Sequence, residues 1–193
     1  MTVVVACLGD SITEGSPGWN RLNGGDGLSR WEHWAVEADP RVSFENHGIY
    51  GQRTDEIAAR FDEAAAGAAA IVIQGGINDI AQGLPVEPAA ESLRALVRRA
   101  KRLGLAVALA DVLPWNNGWP QAEAPIRRLN ALLAEVARIE EVPLLGFHDA
   151  LEDPERPGRM GEEWSSDGDH PSVEGYRLLG LEVAGWTLAS LRA

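Results

Sequence analysis

The sequence predicts an α/β fold on a parallel sheet, and three observations carry that expectation. Five short apolar runs, rich in valine, isoleucine and leucine, alternate with longer segments of helical pattern. The runs are nearly continuous in apolar residues, which is how strands covered on both faces read. With 193 residues, 45% of them hydrophobic and 24% charged, the chain suits one globular domain with a sizeable core.

Residues 3–8 are the first expected strand, 41–46 the second, 70–74 the third, 105–111 the fourth and 142–147 the fifth. Helices are expected over 29–38, 54–66, 88–103, 122–139 and 172–191, with Thr54 near a helix start and Gly104 where a helix-ending glycine belongs. The alanine-rich stretch 64–70 reads as a helix end and the turn after it. No repeat or linker divides the chain, so a single domain over 1–193 is expected.

A formal net charge of −12 argues against a nucleic-acid backbone or an anionic membrane surface as partner. The basic cluster at 98–102 falls in the last turns of an expected helix, where cations suit the dipole. No apolar stretch is long enough to span a bilayer, and no basic leader precedes the first strand, so a cytoplasmic protein is the expectation. Cys7 is the single cysteine, which leaves no internal disulfide and no cysteine-rich metal site; its place in a strand points to a core thiol.

In such a sheet, ligands bind beyond the carboxyl ends of the strands. Ser11 follows the first strand within Gly9-Asp10-Ser11-Ile12-Thr13-Glu14-Gly15. Residues 48–51, 75–79 and 111–119 follow the next three, so these loops are expected on one rim. Asp167-Gly168-Asp169-His170-Pro171 needs only to fold back over it. A serine hydroxyl is a poor nucleophile at neutral pH and needs a base, for which His170 is the candidate. Asp167 and Asp169 compete to hold the other ring nitrogen; Asp167 is favoured, because adjacent side chains in a loop usually diverge. Charge developing on a carbonyl oxygen needs donors, and the Ser11 N–H, a glycine N–H after the second strand and the Asn78 amide are candidates. Asn78 and Asp79 also read as turn or helix caps; for Asn78 the shared rim with Ser11 outweighs that reading.

The segments Gly9-Asp10-Ser11, Asn46-His47-Gly48-Ile49-Tyr50-Gly51, Gly76-Ile77-Asn78-Asp79 and Asp167-Gly168-Asp169-His170-Pro171 resemble, in order and across nearly the whole chain, the four blocks of the GDSL, or SGNH, hydrolase family. The resemblance implies a three-layer α/β/α sandwich with a flavodoxin-like, five-stranded parallel sheet. It also implies hydrolysis of carboxylic esters or thioesters without metal or cofactor, on a small-molecule substrate. It makes Ser11 the nucleophile, His170 the base, Asp167 its partner, and Ser11, Gly51 and Asn78 the oxyanion donors. Gln52-Arg53 departs from the aspartate that follows this glycine in many relatives, and Gly48 is the alternative donor.

Of the seven tryptophans, Trp115 and Trp119 flank Asn116-Asn117-Gly118 on the expected rim, and Trp19 lies in the glycine-rich segment 16–27. These three are the substrate-contact candidates, with simple loop-pinning as the competing reading for Trp115 and Trp119. Segment 16–27 is either a lid or a solvated loop. Trp164 is a candidate for the cleft border, while Trp31, Trp34 and Trp186 suit helix packing. Asp10 reads as a turn or cap carboxylate, Glu14 as a first-turn acid, and His33, His47 and His148 as structural.

The leading functional expectation is an esterase for small acyl groups, sugar O-acetyl esters among them, working through an acyl-enzyme. The same residues would serve a lysophospholipase, a thioesterase or an acyltransferase. A flavodoxin-like binding module for phosphate or flavin is the expectation from another class; the first loop lacks the lysine of a P-loop, and the net charge disfavours anions. Metal-dependent hydrolysis through Asp10, Asp167, Asp169 and His170 would leave the Ser11 context unused.

Overall fold

A computed structural model describes residues 2–15 and 27–191; Trp19, with nearly all of segment 16–27 read as a lid or a solvated loop, lies outside them. Five strands form the sheet: β1 (Val3–Gly9), β2 (Val42–Gly48), β3 (Ala70–Ile73), β4 (Ala106–Ala110) and β5 (Leu144–Leu145). Their order is β2-β1-β3-β4-β5 and every pairing is parallel, the flavodoxin order. The helices are α1 (Ser11–Glu14), α2 (Trp31–Ala38), α3 (Thr54–Ala59), α4 (Phe61–Ala65), α5 (Ile77–Ala81), α6 (Val86–Arg102), α7 (Glu123–Glu140), α8 (Phe147–Leu151) and α9 (Val173–Ser190). Among the described residues, no helix is long and apolar enough to cross a membrane.

Strand alternation divides the core in two. Ala6 and Leu8 of β1, Ile71 and Ile73 of β3, and Val107 and Leu109 of β4 point to one face, under Ile57, Phe61, Leu93, Val97, Leu129 and Leu133 of α3, α4, α6 and α7. Val5, Cys7, Val72, Ala108 and Ala110 point to the other, under Trp31, Phe147, Tyr176, Leu179 and Val183 of α2, α8 and α9. Both faces of the central strands β1, β3 and β4 are therefore covered, and their continuous apolar runs follow from that. Trp31 is fully buried against Phe44 and Phe147, which bears out its reading as packing.

Two expected elements change. The helix over 54–66 is broken at Arg60 (φ −101°, ψ 5°) into α3 and α4, a turn that lets Phe61 enter the core. The fifth strand shrinks to two residues. Pro143 brings no N–H to the ladder, and from Gly146 the chain turns into α8, whose His148 N–H donates to Asp111 at 2.8 Å. The short helices α1, α5 and α8 carry too few turns to show a 3.6-residue period in sequence.

β1 and β2 run their last residues, Gly9 and Gly48, side by side. A Cβ on Gly48 would overlap the backbone of Glu14, so the second rim loop packs directly on α1. Gly51 has φ +75° but open space around it. Gly48→Ala should therefore lower stability by about 3 kcal/mol or more, and Gly51→Ala by only about 1–2 kcal/mol. Urea unfolding of the two variants, compared with the parent chain, checks this order.

Candidate active site

β1 delivers Ser11 to the carboxyl-end rim as the first residue of α1. Asp10 Oδ1 accepts from the Ile12 N–H at 3.0 Å and caps that helix. From the end of β3, Gln74 Oε1 accepts from the Asp10 N–H and the Thr13 hydroxyl at 3.2 and 2.9 Å. A Cβ at Gly9 would fall on both of those partners, so glycine there permits the close turn. Ser11 is only 6% exposed but lines a cavity.

The loop before α9 folds back over the same rim. His170 Nε2 lies 3.1 Å from Ser11 Oγ, and His170 Nδ1 lies 3.0 Å from Asp167 Oδ2. Asp167 Oδ1 accepts the N–H groups of Asp169 and His170 at 2.9 and 2.8 Å. Partial burial raises the Asp167 carboxyl, but the hydrogen bonds from the His170 ring and the two backbone N–H groups outweigh it and hold the group below its ordinary range. Asp169 turns the other way and accepts from Trp115 Nε1 and Asn117 Nδ2. Gly168 adopts φ +88° and its carbonyl accepts from the Asn116 and Asn117 N–H groups, so the loop after β4 pins this turn.

The remaining rim residues supply donors. Asn78, at the start of α5, gives one amide hydrogen bond to Gln52 O at 3.0 Å and lines the cavity beside Ser11. Asp79 is a cap, but of α3: it accepts from the N–H and hydroxyl of Thr54. Among the described residues the N–H groups of Ser11 and Gly51 have no acceptor, whereas the Gly48 N–H donates to Asn46 Oδ1 at 2.9 Å. Glu14, read from sequence as a first-turn acid, accepts the Tyr50 N–H at 2.8 Å and so ties the second rim loop to α1.

The cavity holds about 160 Å³ between Ser11, Tyr50, Asn78, Trp115 and His170. A wider space of about 490 Å³ adjoins it, sharing Ala81 and Trp115 and continuing to Leu84, Asn117 and Gln121. Trp115 thus stands in the site, with its indole N–H on Asp169. Trp119 does not line the cavity: it is 40% exposed, under the Arg159 guanidinium at 5.3 Å. Tyr50 also lines the cavity, with its ring 6.1 Å from that of His170 and 68% exposed; a single loop tyrosine carries no signal of this in sequence. Gln74 was missed too, because a polar residue ending an apolar strand carries no motif.

Behind the site lie two buried carboxyls, Asp10, whose cap role the sequence suggests, and Glu32, whose burial it does not. Burial pushes Asp10 up to about 6 and Glu32 up to about 7, against the hydrogen bonds each receives. Asn46 Nδ2 bridges Glu32 Oε1 and Thr13 O, joining α2 to the end of α1. Among the described residues, the one close group of three potential metal ligands is His148, Asp149 and Glu152, none of which lines the Ser11 cavity. Asp10, Asp167, Asp169 and His170 do not form such a group.

The GDSL-like lipase/acylhydrolase family model matches residues 7–178. The chain belongs to that family. As a GDSL-family member it is a hydrolytic enzyme, and the sequence resemblance is borne out. A comparison with curated protein sequences gives no significant match. Among solved structures, a putative lipolytic protein of the G-D-S-L family from Desulfitobacterium hafniense DCB-2 is similar at 24% identity and TM-score 0.80, over 96% of this chain and 99% of that one. The lipase/acylhydrolase from Enterococcus faecalis is 23% identical, with TM-score 0.79, over 100% and 98%. A mutant of Axe2, an acetyl-xylooligosaccharide esterase from Geobacillus, is 20% identical, with TM-score 0.77, over 94% and 92%. These likenesses establish the three-layer α/β/α fold of the GDSL enzyme.

Glu32 yields a pH test. A carboxyl raised in the folded state binds its proton more tightly there, so it favours folding at low pH; that advantage is lost as pH rises from about 4.5 to about 7. Glu32→Gln removes this titration. Its stability relative to the parent should improve by about 3 kcal/mol between pH 4 and pH 8, an upper bound read from urea midpoints across that range.

Proposed function

We propose that the chain acts as one domain and is a serine esterase for small acyl groups, with Ser11, His170 and Asp167 as its catalytic residues. The observation that carries the reading is the unbroken relay from Ser11 Oγ through His170 to Asp167, beside a cavity lined by Ser11, Asn78 and His170. His170 Nε2 takes the hydroxyl proton as Ser11 Oγ bonds to the ester carbonyl carbon. The carbonyl oxygen becomes an oxyanion facing the N–H groups of Ser11 and Gly51 and the Asn78 amide. Asp167, kept ionised, stabilises the imidazolium and fixes the tautomer. Collapse of the intermediate breaks the bond to the alkoxy oxygen, which receives the proton from His170. Water, deprotonated by the same imidazole, then cleaves the acyl-enzyme and frees the acid and Ser11.

A cavity of about 160 Å³ favours a short acyl group. The adjoining space, with the Trp115 face, Asn117 and Gln121 along it, suits a polar alcohol such as a sugar. Axe2, a neighbour in fold, is named for acetylated xylooligosaccharides, which supports testing O-acetyl sugars first.

Ser11→Ala should abolish hydrolysis of p-nitrophenyl acetate while circular dichroism and urea midpoint stay near those of the parent. Retained turnover would refute the assignment. For the parent, kcat/KM should fall from acetate and butyrate to octanoate; a rise with chain length would overturn the small-acyl reading. Asp167→Asn should lower kcat by about 10³–10⁴.

A further inference from the structure

We propose that Arg60 is a positioning residue that sets the geometry of the oxyanion hole; the inference rests on the esterase reading above. Arg60 sits at the break between α3 and α4 and does not line the cavity. Its guanidinium reaches three rim acceptors: Nη2 donates to Gly9 O at 3.2 Å, Nη1 to His47 O at 2.8 Å, and Nε to Gln52 Oε1 at 2.8 Å.

Each acceptor belongs to a segment that carries a donor of the hole. Gly9 lies two residues before Ser11. His47 and Gln52 bracket the loop that contains Gly51, and Gly9 O also accepts the Ile49 N–H of that loop. Gln52 O in turn accepts the Asn78 amide at 3.0 Å, so its place decides where the third donor points. One planar cation thus fastens the backbone around Ser11 and Gly51 directly, and Asn78 through Gln52. A guanidinium suits this task because its donors form a rigid fork. A lysine ammonium offers a single nitrogen and cannot hold three acceptors so far apart.

A misplaced donor costs transition-state stabilisation more than ground-state binding, since charge on the oxygen develops only on the way to the intermediate. Arg60→Ala should therefore lower kcat on p-nitrophenyl acetate about 10²-fold, with KM changed by less than about threefold. Arg60→Lys should recover little. Added ethylguanidinium should restore part of the Arg60→Ala kcat, and ethylammonium at equal concentration should not. Gln52→Ala, a change in a half-exposed loop, should lower kcat about tenfold, and its effect should vanish in the Arg60→Ala background because both act through one contact.

Wild-type kcat in Arg60→Ala, or an effect wholly on KM, would overturn the proposal while leaving the esterase reading intact. If Arg60→Ala does not fold, Gln52→Ala decides: full kcat there would overturn the proposal. Ester turnover that survives Ser11→Ala, or its absence from the wild-type chain on every ester tried, would sink the esterase reading and this proposal with it.

Discussion

The approach of His170 Nε2 to Ser11 Oγ, at 3.1 Å, joins residues 159 positions apart and is the contact on which the site depends. Neither partner has freedom to make it alone. Ser11 is fixed by β1, by the Asp10 cap and by Gln74 reaching across from β3. His170 is fixed by a turn whose own carboxylate, Asp167, binds the ring and two backbone N–H groups at once. The loop after β4 closes the arrangement, with Asn116 and Asn117 donating to the Gly168 carbonyl. Parallel strand order makes this possible, because it brings the ends of β1, β3 and β4 to one edge.

Around that contact the two acids of the His170 turn divide their work. Asp167 faces the imidazole and stays ionised; Asp169 faces Trp115 and Asn117 and holds the wall of the cavity. Such a division places charge where an imidazolium would form, while the Asp169 carboxylate, which also lines the cavity, is taken up by the Trp115 and Asn117 donors. Charge below the site is kept out of water's reach, with Asp10 and Glu32 raised by their burial.

Most of the architecture was legible because burial on both faces leaves continuous apolar strands and amphipathic helices leave a period. The two-residue β5 and the break at Arg60 were not, since a proline, a glycine and one turn residue decide them locally. Ser11, Asn78, Asp167 and His170 were legible through short segments whose residue types chemistry restricts. Between Gly51 and Gly48 the family resemblance favours Gly51, and the fold adds that the Gly48 N–H is spent on Asn46. Tyr50, Gln74 and Arg60 act through where the fold carries them, and isolated residues of those types send no signal along the chain. The Asp167 and Asp169 alternatives were likewise separated by turn geometry, one carboxylate curling back on the ring three residues ahead.

The most direct measurement is covalent trapping. The enzyme would be treated with diethyl p-nitrophenyl phosphate, digested, and the diethylphosphoryl group located by fragmentation mass spectrometry. The account predicts one adduct, on Ser11, formed with release of p-nitrophenol and nearly absent from His170→Ala. A label on another residue in an enzyme thereby inactivated, or labelling of Ser11 as fast without His170, would contradict it.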